Sequence, residues 1–316
     1  MSKNLPPIIL SLIVLFIGSR LSPNFLDVAY LRDSATLLAE IGIIAIAMNY
    51  VIAAGQIDLS VGSNMVLTSC VTAKLLQSGV SAPLAILLGV LFATFLGWLN
   101  GFLVTSFRVP SFLITVATLA IFRGAAKALL GPNSIKIPEN LVGIDTATFA
   151  WLTVPLWILV ALTVVFIIIL HRTVFGAWVI AVGSNQRTAF YSGVPVSRVI
   201  QLTFMLTGFM SGIAAMLMLS RLGIARPDLA TGAELDIITI VVVGGTLIQG
   251  GSANILGSLL AFVLIALLRT ALGVASVTAE YQMTIIGALL ITAVLAKTLS
   301  IRIPFPKRSA IRVKSP

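Results

Sequence analysis

The sequence predicts an all-α protein that crosses a membrane many times. Of its 316 residues, 59% are hydrophobic and only 9% are charged, and the mean hydropathy is +1.11. Soluble domains contain about 25% charged residues, so this composition excludes an ordinary water-soluble core. Only helices and closed barrels can span a bilayer, and the apolar runs are close to the length of a spanning helix, about 20 residues. We therefore expect about ten transmembrane helices.

Ten apolar runs are the candidates for these helices, and together they predict one membrane domain that covers residues 1–316. The runs lie at about 6–19, 35–54, 59–78, 83–106, 111–131, 150–170, 200–222, 234–249, 253–271 and 278–296. The first and the eighth run are short for a bilayer span. We interpret the first as a retained span rather than a signal peptide, because it lacks a convincing small-residue cleavage site.

The distribution of basic residues predicts the orientation. The segment 171–199 contains three arginines and no acidic residue, and the tail 297–316 contains six basic residues and no acidic residue. Because Lys and Arg concentrate in cytoplasmic segments, we expect both segments in the cytoplasm. An even number of spans then places the N-terminus with Lys3 there too. The opposite face receives the segments of mixed charge.

Two glycine-containing stretches interrupt the apolar runs, at 55–63 and 244–252. Glycine weakens helices, and non-helical backbone at membrane depth is tolerated only where protein or water covers it. Each stretch follows one apolar run and precedes another, which indicates a weak internal repeat of 35–131 and 201–297. Such repeats are common in transporters, where the substrate route lies at the repeat interface.

Several polar side chains lie inside or beside the apolar runs. Asp58 or Ser60 is expected to cap the helix that follows, since both residue types accept backbone N–H groups at a helix start. A gating contact with substrate, or a contact with a partner subunit, is the alternative. The amides and hydroxyls within the runs either join helices by hydrogen bonds or line a path for a hydroxyl-rich solute. These residues are Asn49, Asn64, Asn100, Thr115, Thr118 and Gln249.

Small and ionisable residues in the runs give two further expectations. Glycines four residues apart let helices approach closely, so the pairs Gly97/Gly101 and Gly208/Gly212 predict tight packing within this chain. Ionisable residues near the ends of the runs are expected to pair or snorkel at the outer face, with no carboxylate at the membrane midplane. These residues are Glu40, Arg123, Lys127, Arg221, Arg269 and Glu280.

The sequence contains no recognisable set of residues for catalysis or cofactor binding. It has no G-x-x-x-x-G-K-[S/T] motif for nucleotide phosphates. Cys70 and His171 are its single cysteine and single histidine, which argues against a disulfide or a metal site. The net charge of +10 does not indicate nucleic acid, because apolar runs of membrane length separate the basic residues. We expect no cofactor, no metal and no enzymatic activity of the chain's own.

Three stretches resemble the permease subunits of ribose-type ABC importers, which take up monosaccharides and the related signal autoinducer-2. The stretches are IDLSVGS at 57–63, VGSNQRTAFYSGVPV at 182–196 and TGAELDIITIVVVGGTLIQGGSANILGS at 231–258. The third is the most specific, because an acidic–apolar start, a GGT turn and a second double-glycine turn follow in order. The resemblance covers nearly the whole chain and implies a single transmembrane permease domain.

The resemblance also implies the partners and the division of labour. ATP-binding subunits would dock from the cytoplasm, and a second permease subunit, identical or paralogous, would complete the path. A periplasmic binding protein would deliver the monosaccharide, a pentose or deoxyhexose, to the outer face of the bacterial inner membrane. The coupling loop would be 171–199, where Gly183, Asn185, Ser192 and Gly193 match the family's coupling segment.

Charge adds one expectation about docking, and departures from the family pattern leave the substrate open. We expect Arg221 and Arg226 to help dock an acidic rim of the binding protein. Gln56, Arg187 and Phe190 differ from the residues usual in such permeases. An autoinducer-2 permease and a branched-chain amino acid ABC permease are the nearest alternatives. An ion-driven secondary carrier, which would need a carboxylate at the midplane, and a membrane-embedded enzyme are further ones.

Overall fold

The computed structural model describes residues 4–131 and 133–302, and α-helices dominate it. The helices are α1 (Leu5–Leu21), α2 (Val28–Thr36), α3 (Ala39–Ala53), α4 (Val61–Gln77), α5 (Ala82–Phe107), α6 (Ser111–Leu130), α7 (Val154–Arg172), α8 (Val174–Ser184), α9 (Gln186–Tyr191), α10 (Val196–Leu222), α11 (Ala233–Val243), α12 (Ile255–Val274) and α13 (Ala279–Arg302). Lys3 lies outside the described residues, and so do residues 303–316 of the basic tail.

Two short antiparallel strand pairs join the loops. In the first, β1 (Ile135–Lys136) pairs with β4 (Ile224–Ala225). In the second, β2 (Thr148–Phe149) pairs with β3 (Leu152–Thr153). The first pair ties the loop after α6 to the loop after α10, so it fixes the ends of two long helices side by side.

Each predicted span contains one of these helices, and the prediction of an all-α, polytopic membrane protein is confirmed. Within the described residues, α5, α6, α7, α10 and α12 are long and apolar enough to cross a membrane, and α2 with α3 makes a sixth span if the bent pair is counted as one. This count is lower than ten because some helices are short: α4 has 17 residues and α11 has 11.

The predicted span 35–54 is a bent pair of helices rather than one straight helix. The axes of α2 and α3 differ by 61°. The Thr36 hydroxyl lies 2.8 Å from the Thr153 hydroxyl of β3, which anchors the bend. Beyond the bend, α3 is buried along almost its whole length and forms the centre of the molecule.

The closest helix packing joins α5 to α10 through the predicted glycine pairs. A Cβ added at Gly97 would lie 2.4 Å from the carbonyl oxygen of Phe204, and one added at Gly208 would lie 2.5 Å from that of Ala93. Gly101 and Gly212 also face the partner helix. The prediction of tight packing within the chain is therefore confirmed, and any side chain at these positions would separate the two helices.

The helices run between two ends of the molecule. Gln186 of α9 and Arg108, directly after α5, line one cavity of about 490 Å³, and we call this the α9 end. The pair β1–β4 lies at the opposite end, which we call the hairpin end. The segment 171–199 and the segments of mixed charge at 133–146 and 224–236 thus lie at opposite ends, as the charge pattern predicts.

Candidate functional site

The two breaks predicted from the glycines meet each other at the α9 end. The chain is not helical between Ala53 and Val61, or between Val243 and Ile255. The Gly251 N–H donates to the Ala53 carbonyl at 2.8 Å. Both breaks have backbone in the left-handed region, which glycine adopts at no steric cost, as at Gly55 with φ +74°. The glycines therefore let two stretches of bare backbone touch.

Gly183, near the end of α8, is wedged against both breaks. A Cβ at this position would lie 1.7 Å from the Ala53 carbonyl oxygen and 2.5 Å from the Gly251 nitrogen, and real Cβ atoms essentially never come within 3.0 Å of such atoms. No side chain fits there without moving the backbone. Gly183 is thus not part of an open surface; it is the point through which α8 touches both breaks.

The segment 171–199 is not an open polar loop, as its charges suggested, but contains two helices and a turn. The first helix, α8, is apolar, and its Val179 and Val182 are fully buried. The Asn185 side chain caps α9 by accepting the Thr188 N–H at 3.0 Å. The turn after α9 contains Gly193, which has φ +84° and no atom within 4 Å of an added Cβ.

The outward side of α9 is an exposed aromatic and basic surface, which we call the α9 surface: Arg187, Phe190, Tyr191, Ser192 and Gly193. The Phe190 and Tyr191 side chains are 65% and 86% exposed, and their ring centroids lie 5.7 Å apart. Exposed apolar groups rimmed by polar ones are typical of a surface that a partner covers. Of the four predicted coupling residues, Asn185, Ser192 and Gly193 are exposed here, whereas Gly183 is inside.

Gln249 does not lie with the other predicted path residues. It is exposed in the second break, at the α9 end, and its carbonyl oxygen would lie 3.7 Å from a Cβ at Gly55. The sequence placed it within an apolar run because the run 234–249 was expected to stay helical. Since α11 ends at Val243, Gln249 is carried out of the helix bundle instead.

Asp58 is the centre of a buried polar cluster between α4, α5 and α10. Its Oδ1 accepts the Ser60 N–H at 2.9 Å and the Ser60 hydroxyl at 2.7 Å, and its Oδ2 accepts the Thr207 hydroxyl at 3.1 Å. Ser60 Oγ in turn accepts from the Asn100 amide at 2.7 Å. Asp58 is only 1% exposed. Neither predicted residue caps α4 through its side chain. The Ser60 N–H that Asp58 accepts belongs to the residue before the helix, so the prediction of a cap is wrong.

The depth of Asp58 corrects the expectation that no carboxylate lies far inside the membrane domain. Its partner Thr207 follows the first residue of α10, Val196, by about three turns, which is about 16 Å along the helix. Asn100 precedes the last residue of α5 by about two turns, or about 10 Å. The extended segment after Gly55 therefore rises from the α9 end into the bundle before α4 begins.

Most of the remaining predicted path residues join helices. The Asn49 Oδ1 accepts the hydroxyls of Thr246, at 2.6 Å, and Ser258, at 3.0 Å, and so links α3 to the second break and to α12. The Asn64 amide donates to the Ala93 carbonyl of α5 at 3.0 Å. Thr115 donates to the Ile57 carbonyl at 3.2 Å, and Thr118 bonds within its own helix.

Asn100 differs from the other amides because one of its atoms has no partner. Its Oδ1 is buried and accepts no hydrogen bond from the described residues. An unsatisfied buried acceptor costs about 1–3 kcal/mol, and a ligand hydroxyl is a group that could satisfy it. Among the predicted path residues, Asn100 thus has a buried acceptor that the described residues leave unpaired.

The two arginines predicted to dock a partner have different surroundings. The Arg221 guanidinium forms a two-point ion pair with Glu40, with Nε–Oε1 at 2.8 Å and Nη2–Oε2 at 3.0 Å, and only 23% of its side chain is exposed. Arg221 is thus engaged within the chain. Arg226 is exposed and pairs with Asp228, and its guanidinium lowers the pKa of that carboxyl. Arg226 and Asp228 line an open cavity of about 570 Å³ at the hairpin end, together with Lys127.

Two interactions at the hairpin end were not specified by the sequence. Arg123 of α6 donates to the backbone carbonyls of Pro227, Leu229 and Ala230, and so fastens the loop before α11. Arg269 of α12 pairs with Asp236 of α11. The only sequence signal was the presence of arginine near the ends of apolar runs, which marks functional or paired positions but does not identify the partner.

Comparison with known proteins places these features in a family. The family model described as "Branched-chain amino acid transport system / permease component" matches residues 30–294. The chain is 34% identical over 296 residues to a ribose import permease protein of Bacillus subtilis (strain 168), covering 93% of this chain and 92% of the relative. It is 36% identical over 288 residues to an autoinducer 2 import system permease protein of Escherichia coli O9:H4 (strain HS), covering 89% and 87%. No solved structure matches the chain.

Proposed function

The chain belongs to the permease family described as "Branched-chain amino acid transport system / permease component", and on that premise we propose that it is the membrane subunit of an ATP-driven importer for a monosaccharide. The chain is a multi-pass transport subunit, and a partner subunit hydrolyses ATP. The relatives that import ribose and autoinducer 2 match nearly all of the chain, which supports a sugar or sugar-like cargo over an amino acid. Autoinducer-2 is the second candidate cargo.

One observation carries the proposal: Gly183 connects the exposed α9 surface to both breaks in the bundle. An importer subunit without a nucleotide site must receive work from outside, and it must pass that work to the helices that enclose the solute. The α9 surface supplies the exposed contact, with Phe190 and Tyr191 as the groups that a partner would cover. The close contact of Gly183 with Ala53 and Gly251 supplies the internal connection.

The packing supports a mechanical sequence for transport. When the ATPase subunits close, they displace α9, and α8 moves with it because its buried valines are packed in the core. Gly183 then pushes against the two breaks. Because packed interfaces switch between discrete arrangements rather than deform continuously, a small shift here changes the tilt of α3, α4, α11 and α12 as rigid bodies. Access to the solute path alternates in consequence.

The polar cluster around Asp58 is the best candidate for the inner part of the solute path. It combines a carboxylate, hydroxyls and the unsatisfied Oδ1 of Asn100. These groups match the hydrogen-bonding needs of a polyhydroxylated solute. A second permease subunit would close the path on its open side.

An ion-driven carrier is the alternative that a specific observation favours. The buried carboxylate of Asp58 is the kind of group that a proton-coupled carrier needs. Its carboxyl oxygens are, however, already hydrogen-bonded to Ser60 and Thr207 within the chain, which supports a structural role. The two functions differ in whether transport needs ATP or an ion gradient.

The proposed orientation places the α9 end in the cytoplasm and the hairpin end in the periplasm of a bacterial inner membrane, with both termini cytoplasmic. Asn4, at the start of α1, lies at the α9 end because its side chain accepts from Asn254 at 2.6 Å. A periplasmic binding protein would then dock at the hairpin end, where Arg226 is exposed. The positive-inside rule supports the same orientation through the arginines of 171–199.

Reconstitution tests this function directly. The chain would be purified with the ATPase and binding protein encoded beside it and placed in proteoliposomes, and uptake of D-ribose, D-xylose, L-rhamnose, autoinducer-2 and leucine would be measured. We expect uptake of a sugar that requires ATP and all three components. Uptake by this chain alone, abolished by an uncoupler and indifferent to ATP, would establish the carrier instead.

A further inference from the structure

The hairpin end contains a second, smaller cavity, which we call the inner cavity. It has a volume of about 240 Å³, and four ionisable side chains line it: Glu40, Arg221, Asp236 and Arg269. Ionisable groups in a membrane domain mark substrate pathways when they converge on a cavity. We propose that the inner cavity is a monosaccharide subsite on the outer half of the solute path. This inference rests on the proposed import function.

The two ion pairs have hydrogen-bonding capacity beyond what they use on each other. A guanidinium has five N–H donors and a carboxylate has about four acceptor sites. Arg221 and Glu40 exchange two bonds, at 2.8 and 3.0 Å. The hydrogen bond from Arg269 to Asp236 uses only one guanidinium nitrogen, Nη2. Donors and acceptors that stand side by side suit the vicinal hydroxyls of a sugar, which both donate and accept.

Arg269 supplies the sharpest observation. Its Nε is buried and has no hydrogen-bond partner among the described residues. Leaving such a buried donor unsatisfied is unfavourable, and more so when the group is charged. A ligand hydroxyl in the inner cavity would remove that cost, so the cavity has an unoccupied place for an acceptor.

The rest of the lining fits the other side of a sugar. Met65 and Met218 are almost fully buried and line the same cavity. Flexible, polarisable methionine side chains adapt to irregular apolar surfaces, such as the C–H face of a pyranose or furanose ring.

One fastened segment lines both cavities at the hairpin end. Arg226, Pro227 and Asp228 line the open cavity of about 570 Å³, and the next three residues, Leu229 to Thr231, line the inner one. Arg123 holds the carbonyls of this segment. The two cavities are therefore lined by consecutive residues of one loop.

Structural bracing alone does not account for the four charges. Replacing a buried ion pair by packed apolar residues is often neutral or stabilising for the fold. Apolar side chains could hold α3 against α10 and α11 against α12 at least as well. Two charged pairs that face one cavity are instead what recognition of a polar solute requires.

Protection of an introduced cysteine tests the subsite. The permease–ATPase complex would carry Cys70→Ser and Thr231→Cys, since Thr231 is exposed and lines the inner cavity. The control carries Thr146→Cys, an exposed threonine outside the cavity. The rate of labelling by a methanethiosulfonate reagent would be measured without ATP or binding protein, with and without the sugar that the uptake assay identifies.

We expect the sugar to slow labelling of Thr231→Cys at least fivefold and to leave Thr146→Cys unchanged. Adding Arg269→Lys, which keeps a positive charge for Asp236 but removes Nε, should abolish protection without lowering the thermal stability of the complex. Equal labelling rates in a complex that still imports the sugar would overturn the subsite alone. Absence of ATP-dependent uptake for every sugar would overturn the import function, and the subsite with it.

Discussion

Replacing Gly183 by alanine is the most direct test of how the α9 surface communicates with the bundle. The added Cβ would lie 1.7 Å from the Ala53 carbonyl oxygen, and such contacts are essentially never closer than 3.0 Å. The backbone must therefore separate by more than about 1 Å. Overpacking of this kind costs about 1–3 kcal/mol, which corresponds to a change of about 5- to 150-fold in an equilibrium between transport states.

The assay compares uptake with ATP hydrolysis in the reconstituted importer. We expect Gly183→Ala to assemble with the ATPase but to lose at least 80% of uptake, with hydrolysis no longer stimulated by the loaded binding protein. The matched control is Gly124→Ala, because Gly124 is also in a helix and has nothing within 4 Å of an added Cβ. If Gly183→Ala retained full uptake and stimulated hydrolysis, the mechanical link proposed through this residue would be refuted.

Three further predictions follow from single contacts. Gly193→Trp should leave the protein in the membrane but abolish coupled uptake, because a ring at an open turn with φ +84° blocks the α9 surface; ATPase pull-down and uptake together check this. Asp58→Asn should lower the melting temperature of the complex, since an amide cannot accept all three bonds, whereas exposed Asp33→Asn should not. Arg226→Glu should weaken binding-protein docking at low salt but not at high salt. Arg226 lowers the pKa of Asp228. Their ion pair is therefore fully present above the ordinary carboxyl pKa of about 3.9 and is lost only as the pH falls through the lowered value. Docking should consequently not change between about pH 5 and 8.

Hydropathy and glycine spacing were sufficient to predict the class of fold and much of its packing. The apolar runs predict helices because a bilayer leaves the backbone no other partner than itself. The glycine pair Gly97/Gly101 predicts close helix contact because small residues are what such contact requires. The predicted breaks at 55–63 and 244–252 are found where the glycines weaken the helix, although residues 61–63 of the first already belong to α4.

Local pattern also led to specific errors. Gln249 was assigned to an apolar span, although α11 ends six residues earlier. The segment 171–199 was interpreted as a polar loop from its arginines, although the apolar α8 occupies its first half. Asp58 was expected to cap the following helix, with no carboxylate at the membrane midplane, and the extended backbone before α4 carries it deep into the bundle instead.

The sequence by itself determined that this chain is an all-helical membrane protein with a basic segment at one end, since these properties depend on composition and short-range spacing. Its permease family came from the resemblance of three stretches to known proteins. Only the tertiary structure decided which groups meet: Gly183 with the two breaks, Arg221 with Glu40, Arg269 with Asp236, and Arg123 with the loop before α11. These contacts join residues that are far apart in the chain. Their existence depends on helix tilt and register, which no local pattern of residues encodes.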